Sequence, residues 1–283
     1  MIHAIDLHYH AGLERQAGLS LGDYLEHAVM TGRRVLGITD HLDLYLRPQQ
    51  VLTNPAYSQD LQGLLALRAD LDNVRAAFPS LRLLFAPEVP PSFALADIPQ
   101  PLVDAADYFI CEADLAAASC SANTLSLQER FQEIAAFRAA TGKPIFAAHP
   151  LRHAINLHLV KAPIPPWLRE LSLREPLVFT QAERTRFSLL DPAAVGQTAA
   201  ECGIPLEING NTWERARAAN LPAPLSIMLA IYRIWQACGV QFVVGSDQHA
   251  IRRSVGRFGG AVPWEVCDAL GIEASDIGFL EGI

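Results

Sequence analysis

His8-Tyr9-His10, Asp40-His41, His149 and the pair Asp247 and His249 put imidazole and carboxylate groups at the ends of short apolar runs. Buried strand ends do not normally carry so many ionisable groups, because burying them unpaired is costly. Nitrogen and oxygen donors gathered at successive strand ends are what a divalent-cation site at a barrel mouth requires, and the chemistry of such a site is metal-assisted hydrolysis. His8 and His10 are two residues apart and share a face of a regular strand. Asp247 and His249 repeat that spacing. Each motif alone is weak: His-x-His is common, Asp40 serves equally as a cap, and Glu88 reads either as an exposed carboxylate or as a bridge between cations. His3 sits early in its strand and reads as a core or rim residue. The joint occurrence carries the inference.

Positioning these residues takes alternating strands and helices. Residues 2–7, 34–39, 81–86, 108–111, 144–148, 204–208 and 240–244 read as strands. Ser20 caps a helix over 21–31 that Gly32 ends, and Ser58 opens one with Leu61, Leu64, Leu65, Leu71, Val74 and Phe78 on one face. Ser126 with Glu129 forms a capping box for a helix running to about residue 140. Asp191 and Pro192 start a helix that Gly203 stops. A loop then leads to a helix over 225–238, and Pro263 begins a terminal helix. Seven strands separated by helices imply a parallel sheet, and candidate ligands at the C-terminal strand ends favour closure into a barrel. Residues 151–187, with Pro163, Pro165, Pro166 and Trp167, break the regular spacing and read as an insertion over the mouth.

The chain has 283 residues, 51% of them hydrophobic, and is expected to form a single domain over residues 1–283. A net charge of −8, from 22 basic and 30 acidic residues, argues against tracking long nucleic acid but leaves a cleft-sized anion possible. Five scattered cysteines without Cys-x-x-Cys pairing read as reduced thiols of a cytoplasmic protein. Neither a signal segment nor a membrane span is expected: the apolar stretch 225–244 is broken by Arg233, Gln236 and Gln241.

Asp6-Leu7-His8-Tyr9-His10, Ile38-Thr39-Asp40-His41, Glu88, Ala148-His149-Pro150, Leu206-Glu207-Ile208-Asn209 and Gly245-Ser246-Asp247-Gln248-His249 together resemble the motifs of the PHP (polymerase and histidinol phosphatase) family of metal-dependent phosphoesterases. The resemblance implies an α/β fold, a distorted (β/α)7 barrel with two or three divalent cations (Zn, Mn or Fe) at the C-terminal ends of the strands. By that resemblance His8, His10, Glu88 and Asp247 would hold one metal, and Glu88, His149 and one further ligand a second. His41 and His249 would serve a third. Catalytic roles fall to Glu88, Asp247 and His249. Where the family has a histidine after the fourth strand, this chain offers Asp114, with Glu112 as the alternative, and Glu14 is the anionic choice after His-x-His. Carboxylate in place of imidazole hardens the site and shifts preference toward Mn, Fe or Mg. A small phosphorylated substrate would need further cations, and Arg152, Arg184, Arg186 and Arg253 are the candidates, with Arg252 beside the last of them.

Overall fold

A computed structural model describes residues 2–11, 19–42, 61–113, 120–152, 190–218, 222–249 and 262–283. Seven parallel strands pair in sequence order: β1 (Ile5–His10), β2 (Val35–His41), β3 (Arg82–Val89), β4 (Phe109–Glu112), β5 (Ile145–Ala148), β6 (Leu206–Asn209) and β7 (Phe242–Gly245). The sheet closes on itself beyond β7. The Asp247 amide donates to the His8 carbonyl at 2.8 Å and the His10 amide to the Gln248 carbonyl at 3.0 Å. The expected (β/α)7 barrel is therefore the fold found.

Helices α1 (Leu21–Met30), α2 (Leu61–Val74), α3 (Gln100–Ala105), α4 (Cys120–Thr141), α5 (Pro192–Cys202), α6 (Gly210–Ala218), α7 (Pro222–Ala237) and α8 (Trp264–Leu270) accompany the strands. Local chemistry sets several ends. The Ser20 hydroxyl accepts from the Asp23 amide at 3.3 Å while Asp23 accepts from the Ser20 amide at 2.6 Å, a complete capping box for α1. Asp191 accepts from the amides of Ala193 and Ala194, and Gly203 ends α5 at φ 61°.

Other boundaries move. The first strand begins at Ile5, after a 3-10 turn over Ile2–Ala4 that holds His3 at the surface, 3.8 Å from Asp268. Ser126 does not cap α4, which starts at Cys120. Buried Asn123, Thr124, Leu127, Arg130 and Phe131 continue one helical face back past Ser126, and the Thr124 hydroxyl accepts from the Asp191 amide at 2.8 Å, so tertiary burial overrides the local capping signal. The loop expected after β6 is instead α6, whose first turn is capped by Asn209 accepting from the Thr212 amide at 2.8 Å. Ser58, the proposed opener of α2, and nearly all of the 151–187 insertion lie outside the described residues. Among the described residues no helix is long and apolar enough to cross a membrane.

Strand β1 carries an irregularity that reaches the mouth. Asp6 pairs with Leu36 but Tyr9 with Ile38, so Leu7 and His8 face Gly37 alone. The buried Tyr108 hydroxyl donates to the Leu7 carbonyl at 2.5 Å. Gly37 leaves that space open, because a Cβ there would collide with the Tyr108 hydroxyl and approach the Leu7 carbonyl to 2.8 Å. Burial, with the charges of Asp6 and Glu207, pushes the phenol well above its ordinary pKa, which keeps it a donor. Below it, Phe279 from the C-terminal turn packs edge-on against Tyr108 and Phe146 at 5.4 and 5.6 Å. Tyr108→Phe should leave the buried Leu7 carbonyl unsatisfied and cost about 1–3 kcal/mol. Urea denaturation reads this as a lower midpoint with unchanged slope; an unchanged midpoint would assign that bond no role in holding β1.

Candidate metal centre

Each strand contributes at its C-terminal end. His8 and His10 come from β1, His41 from β2, Glu88 from β3, Glu112 from β4, Glu207 and Asn209 from β6. His149 follows β5 directly, and Asp247 and His249 follow β7. The pairing brings them level: His41 is opposite Glu88, and Asn209 opposite Gly245. His8, His10, Glu88, Glu207 and Asp247 are fully buried, whereas the side chains of His41 and His249 retain 19% and 11% exposure, so the cluster opens on their side.

Glu88 is the hub. Its Oε1 lies 2.9 Å from His149 Nε2 and 3.4 Å from His8 Nε2, while Oε2 lies 3.0 Å from His41 Nδ1 and 3.1 Å from His10 Nε2. Asp247 Oδ1 is 3.3 Å from His249 Nδ1, 3.5 Å from His10 Nε2 and 3.7 Å from His8 Nε2. Its Oδ2 accepts from Asn211 at 3.2 Å. Glu112 Oε1 is 3.7 Å from His41 Nδ1, and its Oε2 accepts from Arg152 at 3.1 Å. Arg152 also comes within 3.5 Å of Asp247 Oδ2. His10 stacks between neighbours, 3.8 Å from the His249 ring and 4.7 Å from that of His41.

This crowding governs the charges. Burial opposes ionisation of Glu88, but His41, His8 and hydrogen bonds from His10 and His149 outweigh it and hold the carboxyl well below its usual range. Asp247 is likewise held well below: burial is outweighed by His8, His249, His10 and Arg152. Burial lowers His41, yet Glu88 and Glu112 push it up to about 9. His8 is raised well above its ordinary value against burial by Glu207, Glu88 and Asp247. For His249 burial and the neighbouring His10 prevail and keep it well below.

Two ligand candidates adopt backbone conformations that side-chain-bearing residues rarely use: His149 at φ 32° and Asp247 at φ 51°. Such strain costs on the order of 1–3 kcal/mol per residue and concentrates at functional sites. Here it is offset by bonds to buried acceptors, from the His149 amide to Glu207 Oε2 at 2.9 Å and from the Asp247 amide to the His8 carbonyl.

The donor set fits divalent cations. Glu88 Oε2 and Asp247 Oδ1 are buried without a well-aligned hydrogen bond, although imidazole nitrogens surround them. Among the described residues three groups bring their donor atoms within 4.8 Å of one another: His8, His10 and Glu88; His41, Glu88 and Glu112; and His10, His41 and His249.

The structure thus gathers His8, His10, His41, Glu88, His149, Asp247 and His249, with Arg152 at the rim. Glu112 occupies the end of β4. Asp114, Glu14, Arg184, Arg186, Arg252 and Arg253 lie outside the described residues. Glu207 falls within the Leu206–Asn209 motif of the sequence but carries no expected role there; in the structure it accepts from His149 and Asn209 and meets His8 Nδ1 at 2.9 Å. Beyond that motif, its signal is a carboxylate in an otherwise apolar strand, Leu206-Glu207-Ile208.

No protein-family model and no curated protein sequence matches the chain. Among solved structures, a histidinol phosphate phosphatase from Lactococcus lactis, complexed with zinc, L-histidinol and phosphate, matches with a TM-score of 0.56 at 13% identity, over 96% of this chain and 95% of that one. A cog1816 amidohydrolase from Burkholderia ambifaria with bound zinc matches with a TM-score of 0.45 at 13% identity, over 92% of this chain and 66% of that one. The first likeness shows a shared barrel fold along nearly the whole chain.

Proposed function

We propose that the chain is a metal-dependent phosphoesterase of the PHP type, hydrolysing a small phosphorylated substrate at a bi- or trinuclear site in the barrel mouth. The observation that carries this is the division of Glu88, one oxygen toward His8 and His149 and the other toward His10 and His41. A carboxylate so placed could serve two cations at once. Support for a phosphate ester comes from the similarly folded Lactococcus lactis enzyme, which holds zinc, L-histidinol and phosphate.

Divalent cations bound there would supply Lewis acidity toward phosphoryl oxygens and lower the pKa of water from about 15.7 to about 7. The chain's residues do the rest. Glu88 and Asp247 stay ionised and supply the anionic charge that would retain the cations. His249 Nδ1 faces the Asp247 carbonyl at 3.0 Å, which places the proton on Nδ1 and leaves Nε2 as a lone pair at the more open edge of the cluster. Arg152, 16% exposed at the rim and paired there with Glu112, would be the guanidinium that meets a phosphate. Arg184, Arg186 and Arg253 complete the proposed cationic set. C–N bond hydrolysis with a carbamylated lysine is disfavoured. The chain has two lysines; Lys143 donates to the Ala106 carbonyl at 2.7 Å, just before β5 and away from the mouth, and Lys161 follows no strand end in the sequence.

Elemental analysis of the purified protein, with panels of phosphomonoesters and phosphodiesters, tests the reading. Two or more equivalents of Zn, Mn or Fe are expected, with hydrolysis that a chelator abolishes and re-added metal restores. Turnover of diesters alone would replace the histidinol-phosphate-like substrate by a nucleotide or short oligonucleotide. Fully metal-loaded protein inert to every phosphate ester would contradict the proposal.

A further inference from the structure

Glu207 lies outside the ligand groups, yet it is fully buried and contacts three parts of the cluster. Its Oε1 meets His8 Nδ1 at 2.9 Å; its Oε2 accepts from the His149 amide at 2.9 Å and from the Asn209 side chain at 3.0 Å. Asn209 in turn approaches Asp247 Oδ2 at 3.4 Å. Gly245 admits this arrangement, because a Cβ there would overlap both Glu207 Oε1 and His8 Cβ.

We infer that Glu207 is a positioning residue that fixes His8 with its proton on Nδ1 and its Nε2 lone pair directed at Glu88 and Asp247, and so controls metal affinity at one end of the cluster. The inference rests on the metal-dependent reading above. The chemistry is specific. An ionised carboxylate can only accept, so the imidazole nitrogen facing it must carry the hydrogen. A carboxylate behind a ligating imidazole also raises its basicity, and losing such a partner typically weakens metal binding about 10–100-fold.

Glu207 touches His8 directly and His149 through its backbone amide, the two residues that face Glu88 Oε1. His41 and Glu112, on the Oε2 side, take no such support from it in the contacts that define the cluster. His10 differs from His8: its Nδ1 is buried with no hydrogen-bond partner among the described residues. The effect is therefore one-sided.

The test substitutes Glu207→Gln. A carboxamide cannot satisfy all these partners. If its oxygen faces the amide of His149 and the Asn209 side chain, its NH₂ meets His8 Nδ1 and selects the tautomer with the proton on Nε2. If it turns the other way, the NH₂ faces two donors. Competition titrations of wild-type and variant protein with Zn²⁺ or Mn²⁺ against a chromophoric chelator should show one equivalent weakened about 10–100-fold and another retained near wild-type affinity. The metal-free variant should melt close to the wild type. Equal affinity for every equivalent would overturn the inference, and so would uniform weakening with a collapsed melting transition, the mark of a merely structural role. A second measurement needs no variant. Long-range ¹⁵N–¹H correlation spectra of the Zn²⁺-loaded wild type should place the His8 proton on Nδ1; a proton on Nε2 would overturn it. Wild-type protein that binds no metal would instead remove the parent reading.

Discussion

Glu88→Gln should abolish metal binding and hydrolysis together. The substitution preserves volume, so no cavity forms, but it removes the negative charge on which four imidazoles converge. It also aims an amide donor at nitrogens that must present lone pairs to a cation. Bound metal should fall below one equivalent, and kcat/KM should drop by about 10³ or more, at the upper end of losses seen when a main electrostatic contact is removed. Glu88 is the foremost group raising His41 above its ordinary pKa, so in metal-free protein that imidazole should titrate lower in the variant than in the wild type. Elemental analysis with steady-state kinetics reads the first two effects, and histidine NMR reads the third. A variant retaining two equivalents of metal and ordinary turnover would show that Glu88 is not the bridge.

The second large effect is expected where no functional group exists. Gly245→Ala places a methyl group where the Glu207 carboxylate and His8 Cβ already lie. Overpacking of this kind costs about 1–3 kcal/mol, and here the groups forced to move include the His8 imidazole itself. Metal affinity should therefore fall at least about 10-fold, as when an outer partner of a ligating histidine is lost. Gly239→Ala provides the control. Gly239 sits at φ +86° with nothing within 4 Å of a Cβ, so alanine there brings backbone strain of about 1–2 kcal/mol without touching the site. Both variants should melt earlier, and Gly245→Ala alone should lose metal. Equal metal affinities in the two would detach Gly245 from the cluster.

Much of the site was legible because its candidate ligands sit just past apolar runs. His8, His10, His41, His149, Asp247 and His249 each follow or end one, and parallel pairing then forces them to a common face. Local signals were sufficient where local chemistry decides, as at the Ser20 capping box and the Asp191–Gly203 bounds of α5. They failed where tertiary contacts decide. The start of α4 is set by burial of Asn123 and Thr124 against distant chain, and no window around Ser126 contains that information. The β1 irregularity depends on Gly37 and on Tyr108, 101 residues from the carbonyl it serves. The role of Glu207 is hidden for the same reason: an acid between Leu206 and Ile208 gains its meaning only when β6 lies beside β7 and Gly245 lets it reach His8. Glu112, the alternative to Asp114, gained weight through register, since its pairing with Ala148 places it one residue from His149.

The central claim is that distant imidazoles and acids enclose a shared set of cations around Glu88. Diffraction from crystals of the metal-loaded protein at the absorption edge of the bound metal tests it most directly. Anomalous peaks are expected on both sides of the Glu88 carboxylate, one toward His8 and His149 and one toward His41. Peaks confined to the molecular surface, with the barrel mouth empty in protein that carries metal, would contradict it.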